Sequence, residues 1–262
     1  MRAIQGLAAE IRRISAERVR DEVVRILTEG GASRGLRLMD ECGLLTHLLP
    51  EIKAMQGVEQ PPEYHPEGDV WTHTLLMLDL LDEKPTATLA LGVLLHDVGK
   101  PGTFRRAPDR IRFDGHVEKG LEVAHAILAR LKFSNDEIEQ VESLIGHHMR
   151  WSHVQEMRES TLKRFVRLPH FDEHMDLHRV DSLSSHGKLD NYEFVRAKLA
   201  DLPPEKIRPA RLLTGLDLQA MGYAPGPLFR EILDAIEDAQ LDGVVTTREQ
   251  AIRMVEERWA RA

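Results

Sequence analysis

Residues 86–100 read TATLALGVLLHDVGK, an apolar run that ends in the adjacent pair His96-Asp97 and is broken by Gly99 and Pro101. The run predicts a buried helix over 86–96. His96 and Asp97 fall on the face that continues Leu89 and Val93. An unpartnered aspartate buried beside a histidine costs several kcal/mol, so this placement calls for a partner. A divalent cation satisfies it, with Gly99 turning the backbone away and the Lys100 ammonium left near the same spot for a phosphate oxygen. The alternative is a helix C-terminus at which His and Lys favour the negative end of the dipole.

Working outward, helical periodicity dominates and strand-like alternation is nearly absent, which predicts an all-α protein. Ser15 precedes a helix carrying Val19, Val23, Ile26 and Leu27 that stops at Gly30-Gly31. A second helix is expected near 34–42, and residues 44–49 run into Pro50. Residues 56–68 hold Pro61, Pro62 and Pro66 and read as an extended connection. Helices are then expected over 71–81 and 117–131. Residues 105–114 read as a polar loop with a short hairpin at 110–113. Ser134 to Glu137 has the form of a capping box opening a helix to His148. Helices over 171–199 precede a second linker at Pro203, Pro204 and Pro209. Pro225-Gly226-Pro227 leads into a helix over 228–239, and Thr247 to Gln250 caps the last one. This organisation predicts three parts: an N-terminal helical segment 1–60, a central domain 61–200 and a C-terminal helical segment 201–262.

The 262 residues suffice for a substantial core, and 42% hydrophobic with 30% charged residues is ordinary for a globular protein. A net charge of -8 works against tight nonspecific nucleic-acid binding, so any such contact needs a local basic patch. The single cysteine, Cys42, fits a reducing, cytoplasmic setting. Neither a signal-peptide core nor a membrane span is expected.

Further histidines and aspartates share the helices with the central pair. His73 lies one turn into an apolar helix, His116 just ahead of a helix N-terminus, and His148 on the stripe of Ile138, Val141 and Ile145. Each alone reads as a core histidine or a ligand; with His96, four such placements in one helical domain favour ligands, since imidazole and carboxylate hold hydrolytic first-row metals. His147 lies about 100° around the helix from His148, so both face one site only where that site wraps the helix end. Asp181 shares a stripe with His174 and Leu177, and is either a ligand or a surface carboxylate paired with Arg179 or Lys188. His178 is an outer-shell or structural group.

The order His73, His96-Asp97, Asp181 resembles the metal-binding pattern of the HD superfamily of phosphohydrolases, which are all-α. The resemblance implies that these four side chains hold one divalent metal, with His116 and His148, and His147 where the site wraps the helix end, serving a second ion bridged by Asp97. His147-His148 is followed by Met149-Arg150-Trp151, not by the extended motif of the cyclic-di-GMP enzymes of that superfamily. Three further blocks resemble the CCA-adding tRNA nucleotidyltransferase and poly(A) polymerase family: residues 14–18, residues 43–51, and Thr214 to Leu218 with the following Pro225-Gly226-Pro227. They correspond to its neck, HD domain and C-terminal body. The catalytic head of that family precedes the neck and carries a paired Asp-x-Asp; this sequence contains no Asp-x-Asp, so nucleotide addition is not expected of it alone. Met1 directly at the neck-like segment points to a stand-alone chain.

The expectation is therefore a metal-dependent phosphohydrolase for a nucleotide or RNA-end phosphoester, of 2',3'-cyclic phosphodiesterase, 2'-nucleotidase or phosphatase type. Asp97 and Lys100 carry the chemistry, and Lys100, Arg105 and Arg106 receive the phosphate. Mixed nitrogen and oxygen donors favour Mn, Fe, Co or Ni over Mg, as one or two ions. The alternative is a tRNA-binding body that works beside a separately encoded nucleotidyltransferase, with Arg12, Arg13, Arg18, Arg20 and Arg25 as its basic helix face.

Overall fold

The computed structural model describes residues 2–259. It is 67% helical with one hairpin of two-residue strands, an all-α protein in which an HD-type helical bundle is flanked by further helices. The described chain divides into two compact units, residues 1–152 with 172–192, and residues 153–171 with 193–262.

In the first unit the elements that matter are α1 (Ala16–Thr28), α2 (Ala32–Glu41), α3 (Val70–Asp79), α4 (Ala87–Leu95), α5 (Lys100–Thr103), β1 (Arg105–Arg106), β2 (Ile111–Arg112), α6 (His116–Arg130), α7 (Asn135–His147) and α8 (Phe171–Ser184). Helix α4 is buried at every position from Leu89 to Leu95, as a helix apolar all round must be. Leu36 of α2, Leu75 of α3, Leu94 of α4, Ile127 of α6, Val141 of α7 and Leu177 of α8 join it in one core. At about 25 cal/mol per Å² of apolar surface, burial of such side chains contributes about 1.5–3 kcal/mol each. The helices of residues 16–41 lie in this same core with those of 70–180.

Caps fix where the site-bearing helices begin. Asp69 caps α3 by accepting from the Thr72 amide at 2.8 Å, and Thr86 caps α4 by accepting from the Leu89 amide at 3.1 Å. The expected capping box at α7 is present, with Ser134 and Glu137 bonded reciprocally to each other's amides. The buried Glu173 of α8 accepts from Thr86 at 2.5 Å, Thr88 at 2.7 Å and Gln140 at 2.9 Å. One carboxylate thus ties together the three helices whose far ends carry Asp181, His96-Asp97 and His148.

In the hairpin, Arg105 pairs with Arg112 and Arg106 with Ile111, so the first strand lies at 105–106, ahead of the expected position. The second unit has its own core of Leu213, Leu218, Ile232, Ile236, Val245, Ala251 and Val255, built around α9 (Pro227–Leu241) and α10 (Arg248–Arg258). Lys163 donates to the Leu241 carbonyl at 2.7 Å and Arg164 to Asp238 at 2.9 Å within that unit. Among the described residues no helix is long and apolar enough to cross a membrane.

Candidate metal centre

Five elements of the first unit converge at one end. Helix α3 brings His73, the end of α4 brings His96 and Asp97, α6 begins with His116, the end of α7 is followed by His148, and α8 brings Asp181. One ligand atom each from His73, His96 and Asp181 lies within 4.8 Å of the others, and the same holds for Asp97, His116 and His148. Asp97 stands between the two sets. Its Oδ2 lies 3.0 Å from His96 Nε2, while its Oδ1 lies 3.8 Å from His116 Nε2 and 3.9 Å from His148 Nε2. His73 Nε2 lies 3.2 Å from Asp181 Oδ1.

The imidazoles are oriented by their other nitrogen. His96 Nδ1 donates to the Val93 carbonyl at 2.9 Å, His116 Nδ1 to Phe113 at 2.9 Å, and His148 Nδ1 to Ile145 at 2.6 Å. A carbonyl only accepts, so each neutral ring carries its proton on Nδ1 and presents the Nε2 lone pair to the cluster. His73 Nε2, His96 Nε2 and Asp97 Oδ1 are buried and make no hydrogen bond of acceptable geometry among the described residues. Orphaned buried acceptors of this kind fit a cation, and the mixed nitrogen and oxygen donors suit a first-row divalent metal.

Electrostatics point the same way. Burial alone would raise the Asp97 carboxyl, but its close contacts with His96 and the Lys100 ammonium outweigh it and hold Asp97 well below the usual carboxylate range. Asp181 is likewise held low against burial, chiefly by the nearby His73 ring. Burial pushes His148 down to about 4, a neutral imidazole with a lone pair to give. Burial also disfavours charge on His73, yet the Asp181 and Glu67 carboxylates beside it prevail and raise it to about 9. A cation at this position competes with that proton.

The other sequence-derived residues lie as follows. Lys100 is buried, with Nζ at 2.6 Å from Asp97 Oδ2, 2.7 Å from Gln60 Oε1 and 5.2 Å from the Phe113 ring centre. Its ammonium neutralises the central carboxylate. Arg105 and Arg106 are exposed on the hairpin and pair with Asp114 at 2.7 Å and Glu59 at 2.5 Å. His147 belongs to neither ligand set: its Nδ1 lies 2.7 Å from the Ser143 carbonyl, and its ring meets His174 edge-on at 5.8 Å. His178 stacks on Trp151 at 4.3 Å. Gly99 has φ -80°, which any residue adopts, so conformational freedom is not its role. A Cβ there would meet the His116 carbonyl oxygen at 2.1 Å and the Gly120 amide at 2.5 Å. The glycine lets α6 approach closely enough to bring His116 to Asp97.

Sequence reasoning missed the group behind His73. Glu67 Oε1 lies 2.6 Å from His73 Nδ1 and 2.9 Å from His65 Nδ1. Both residues sit in the proline-rich connection, where no periodicity marks a facing side chain. The signal available was a His and a Glu just ahead of the α3 cap.

Two regions of the chain match known protein families. Residues 69–184 match the HD domain model and residues 1–56 match the model described as a probable RNA and SrmB-binding site of polymerase A. The chain is therefore similar, over that central region, to HD-domain proteins. More particularly, it resembles the neck, HD domain and C-terminal body of CCA-adding tRNA nucleotidyltransferases. It is 35% identical to the A-adding tRNA nucleotidyltransferase of Deinococcus radiodurans over 93% of this chain and 58% of that protein. It is also 35% identical to the CC-adding tRNA nucleotidyltransferase of Thermus thermophilus, over 90% of this chain and 55% of the relative. For the multifunctional CCA protein of Methylobacillus flagellatus the values are 31%, 92% and 53%. The chain thus spans little more than half the length of these relatives.

Proposed function

We propose that the cluster holds one or two divalent cations and that the chain is a phosphohydrolase for a nucleotide or RNA-end phosphoester. The observation that supports this reading most is Asp97, a buried carboxylate whose two oxygens face two separate sets of ligand atoms. His73, His96, Asp97 and Asp181 would form the first set and His116 and His148 the second, with Asp97 shared. Mn, Fe, Co or Ni suits these donors better than Mg. Such a cation supplies Lewis-acid polarisation of a phosphoryl oxygen and lowers the pKa of water.

The chain's own groups do the positioning. The backbone carbonyls of Val93, Phe113 and Ile145 fix three imidazoles with Nε2 inward. Lys100 balances the Asp97 charge and is the nearest ammonium for a phosphate oxygen, while Arg105 and Arg106 form an outer cationic pair on the exposed hairpin. His147 stands as an outer neighbour of this set. We assign the parts as a neck-like 1–60, an HD domain 61–200 and a body-like 201–262, in a cytoplasmic protein.

The test is turnover of 2',3'-cyclic AMP and p-nitrophenyl phosphate with each of the four metals. Turnover that His96→Ala and Asp97→Ala abolish is expected. No turnover with any metal, or undiminished turnover in both variants, would contradict it.

A second reading is favoured by the match of residues 1–56 to an RNA-binding region: a tRNA-binding body that works with a separate nucleotidyltransferase. Its basic face is partly neutralised, since Arg13 pairs with Glu10, Arg20 with Asp21, and Arg25 with Glu22 and Glu29. Micromolar tRNA binding by metal-free protein without hydrolysis would favour this reading.

A further inference from the structure

The loop ahead of α3 carries a carboxylate whose position the proposed metal chemistry makes intelligible. The side chain of Glu67 is only 6% exposed and faces the Nδ1 edge of His73, opposite the Nε2 edge that meets Asp181. A buried carboxylate on a loop is costly unless several donors satisfy it. Here His73 Nδ1 at 2.6 Å and His65 Nδ1 at 2.9 Å share one oxygen, and the His65 ring stands edge-on to His73 with centres 4.8 Å apart.

The loop is built to hold Glu67 there. The His65 amide donates to the Pro61 carbonyl at 3.0 Å, and the Val70 amide to Val58 at 3.1 Å. Asp69 accepts from the Gly57 amide at 2.5 Å while capping α3. Gly68, at φ 125°, takes a backbone conformation that side chains disfavour, which lets the chain turn between Glu67 and the capping Asp69.

The other histidines of the cluster give their Nδ1 proton to a backbone carbonyl; His73 alone gives it to a carboxylate. An anionic acceptor fixes the ring as firmly as a carbonyl does and also raises the basicity of the opposite nitrogen. Resting on the metal reading above, we propose that Glu67 is a positioning residue that holds His73 with Nδ1 protonated and Nε2 turned to the cation, with His65 keeping Glu67 in place. Glu67, His65 and His73 also meet the distance condition for a separate ion. That arrangement would need His73 to bind cations through both nitrogens, which requires loss of both ring protons and is disfavoured.

Zinc serves as the probe because it is diamagnetic and takes imidazole readily. Zinc affinity is measured by chelator competition on the whole chain for wild type, Glu67→Ala and Glu67→Gln, with histidine ¹⁵N spectra of the zinc-loaded proteins. Glu67→Ala is expected to weaken zinc about 10- to 100-fold and to move the His73 Nδ1 resonance out of its hydrogen-bonded position. Glu67→Gln, whose amide oxygen still accepts from Nδ1, is expected to recover most of both, and circular dichroism checks that each variant is folded. Glu67→Ala with unchanged affinity and His73 resonances overturns the proposal while leaving the metal centre intact, and so does loss of one extra ion with the others unaffected. Wild-type protein that takes up no zinc overturns the metal reading itself, and this inference with it.

Discussion

Gly99→Ala adds one methyl group at the point where the cluster depends most on close approach. The new Cβ would lie 2.1 Å from the His116 carbonyl oxygen and 2.5 Å from the Gly120 amide nitrogen, both backbone atoms that no rotamer change can move. A comfortable C···O contact is about 3.3 Å, so the α6 backbone must retreat by about 1 Å. Overpacking of this kind costs about 1–3 kcal/mol. In a unit of this size that lowers Tm by about 2–4 °C per kcal/mol. The functional effect should exceed the stability effect, because metal coordination tolerates only about 0.2 Å of displacement. His116 begins α6 and moves with it, whereas His73, His96 and Asp181 stand on other elements. The variant is therefore expected to fold with a reduced Tm, keep an ion on the His73, His96, Asp181 set and lose the ion shared by Asp97, His116 and His148. Differential scanning calorimetry and elemental analysis after dialysis against Mn or Co measure both. A variant with Tm within about 1 °C of wild type and full metal content would refute the reasoning.

His116→Ala should lower metal content by one ion, whereas His147→Ala, whose ring turns to Ser143 and His174, should leave it unchanged; elemental analysis of the two side by side decides. Burial lowers His174 and His178 to about 4. Each binds a proton more readily when unfolded, so their stability contribution is full above about pH 6.5 and is lost as pH falls toward 4, by up to about 1.4 kcal/mol per pH unit per histidine. Urea melts across that range should show this slope, and His178→Gln should flatten it. Lys100→Met leaves the buried Asp97 without its cation at 2.6 Å, so the metal-free variant should melt lower than wild type and recover more on metal addition; equal melting of the two apo proteins would contradict this.

The helices and their caps were legible because they rest on local signals: the Ser134 and Thr247 capping boxes stand where the sequence places them. His73, His96, Asp97, His116, His148 and Asp181 could be picked out because each lies on or beside an apolar helical stripe, and the structure brings them together. Three features were not legible. Periodicity gives a face but not a distance, so the close approach that requires Gly99 was invisible. Loop residues have no period at all, which hid Glu67 and His65. The reach of Lys100 to Gln60, across 40 residues, depends on how the proline-rich connection folds back, and the sequence carries no local sign of it.

The central claim is that the cluster joined by Asp97 is a metal centre. Elemental analysis of protein purified without chelators tests it most directly. The account predicts one or two first-row ions per chain, lost together in Asp97→Ala and in His96→Ala. A folded wild-type protein that carries no metal, and takes up none from Mn, Fe, Co or Ni at neutral pH, would contradict it.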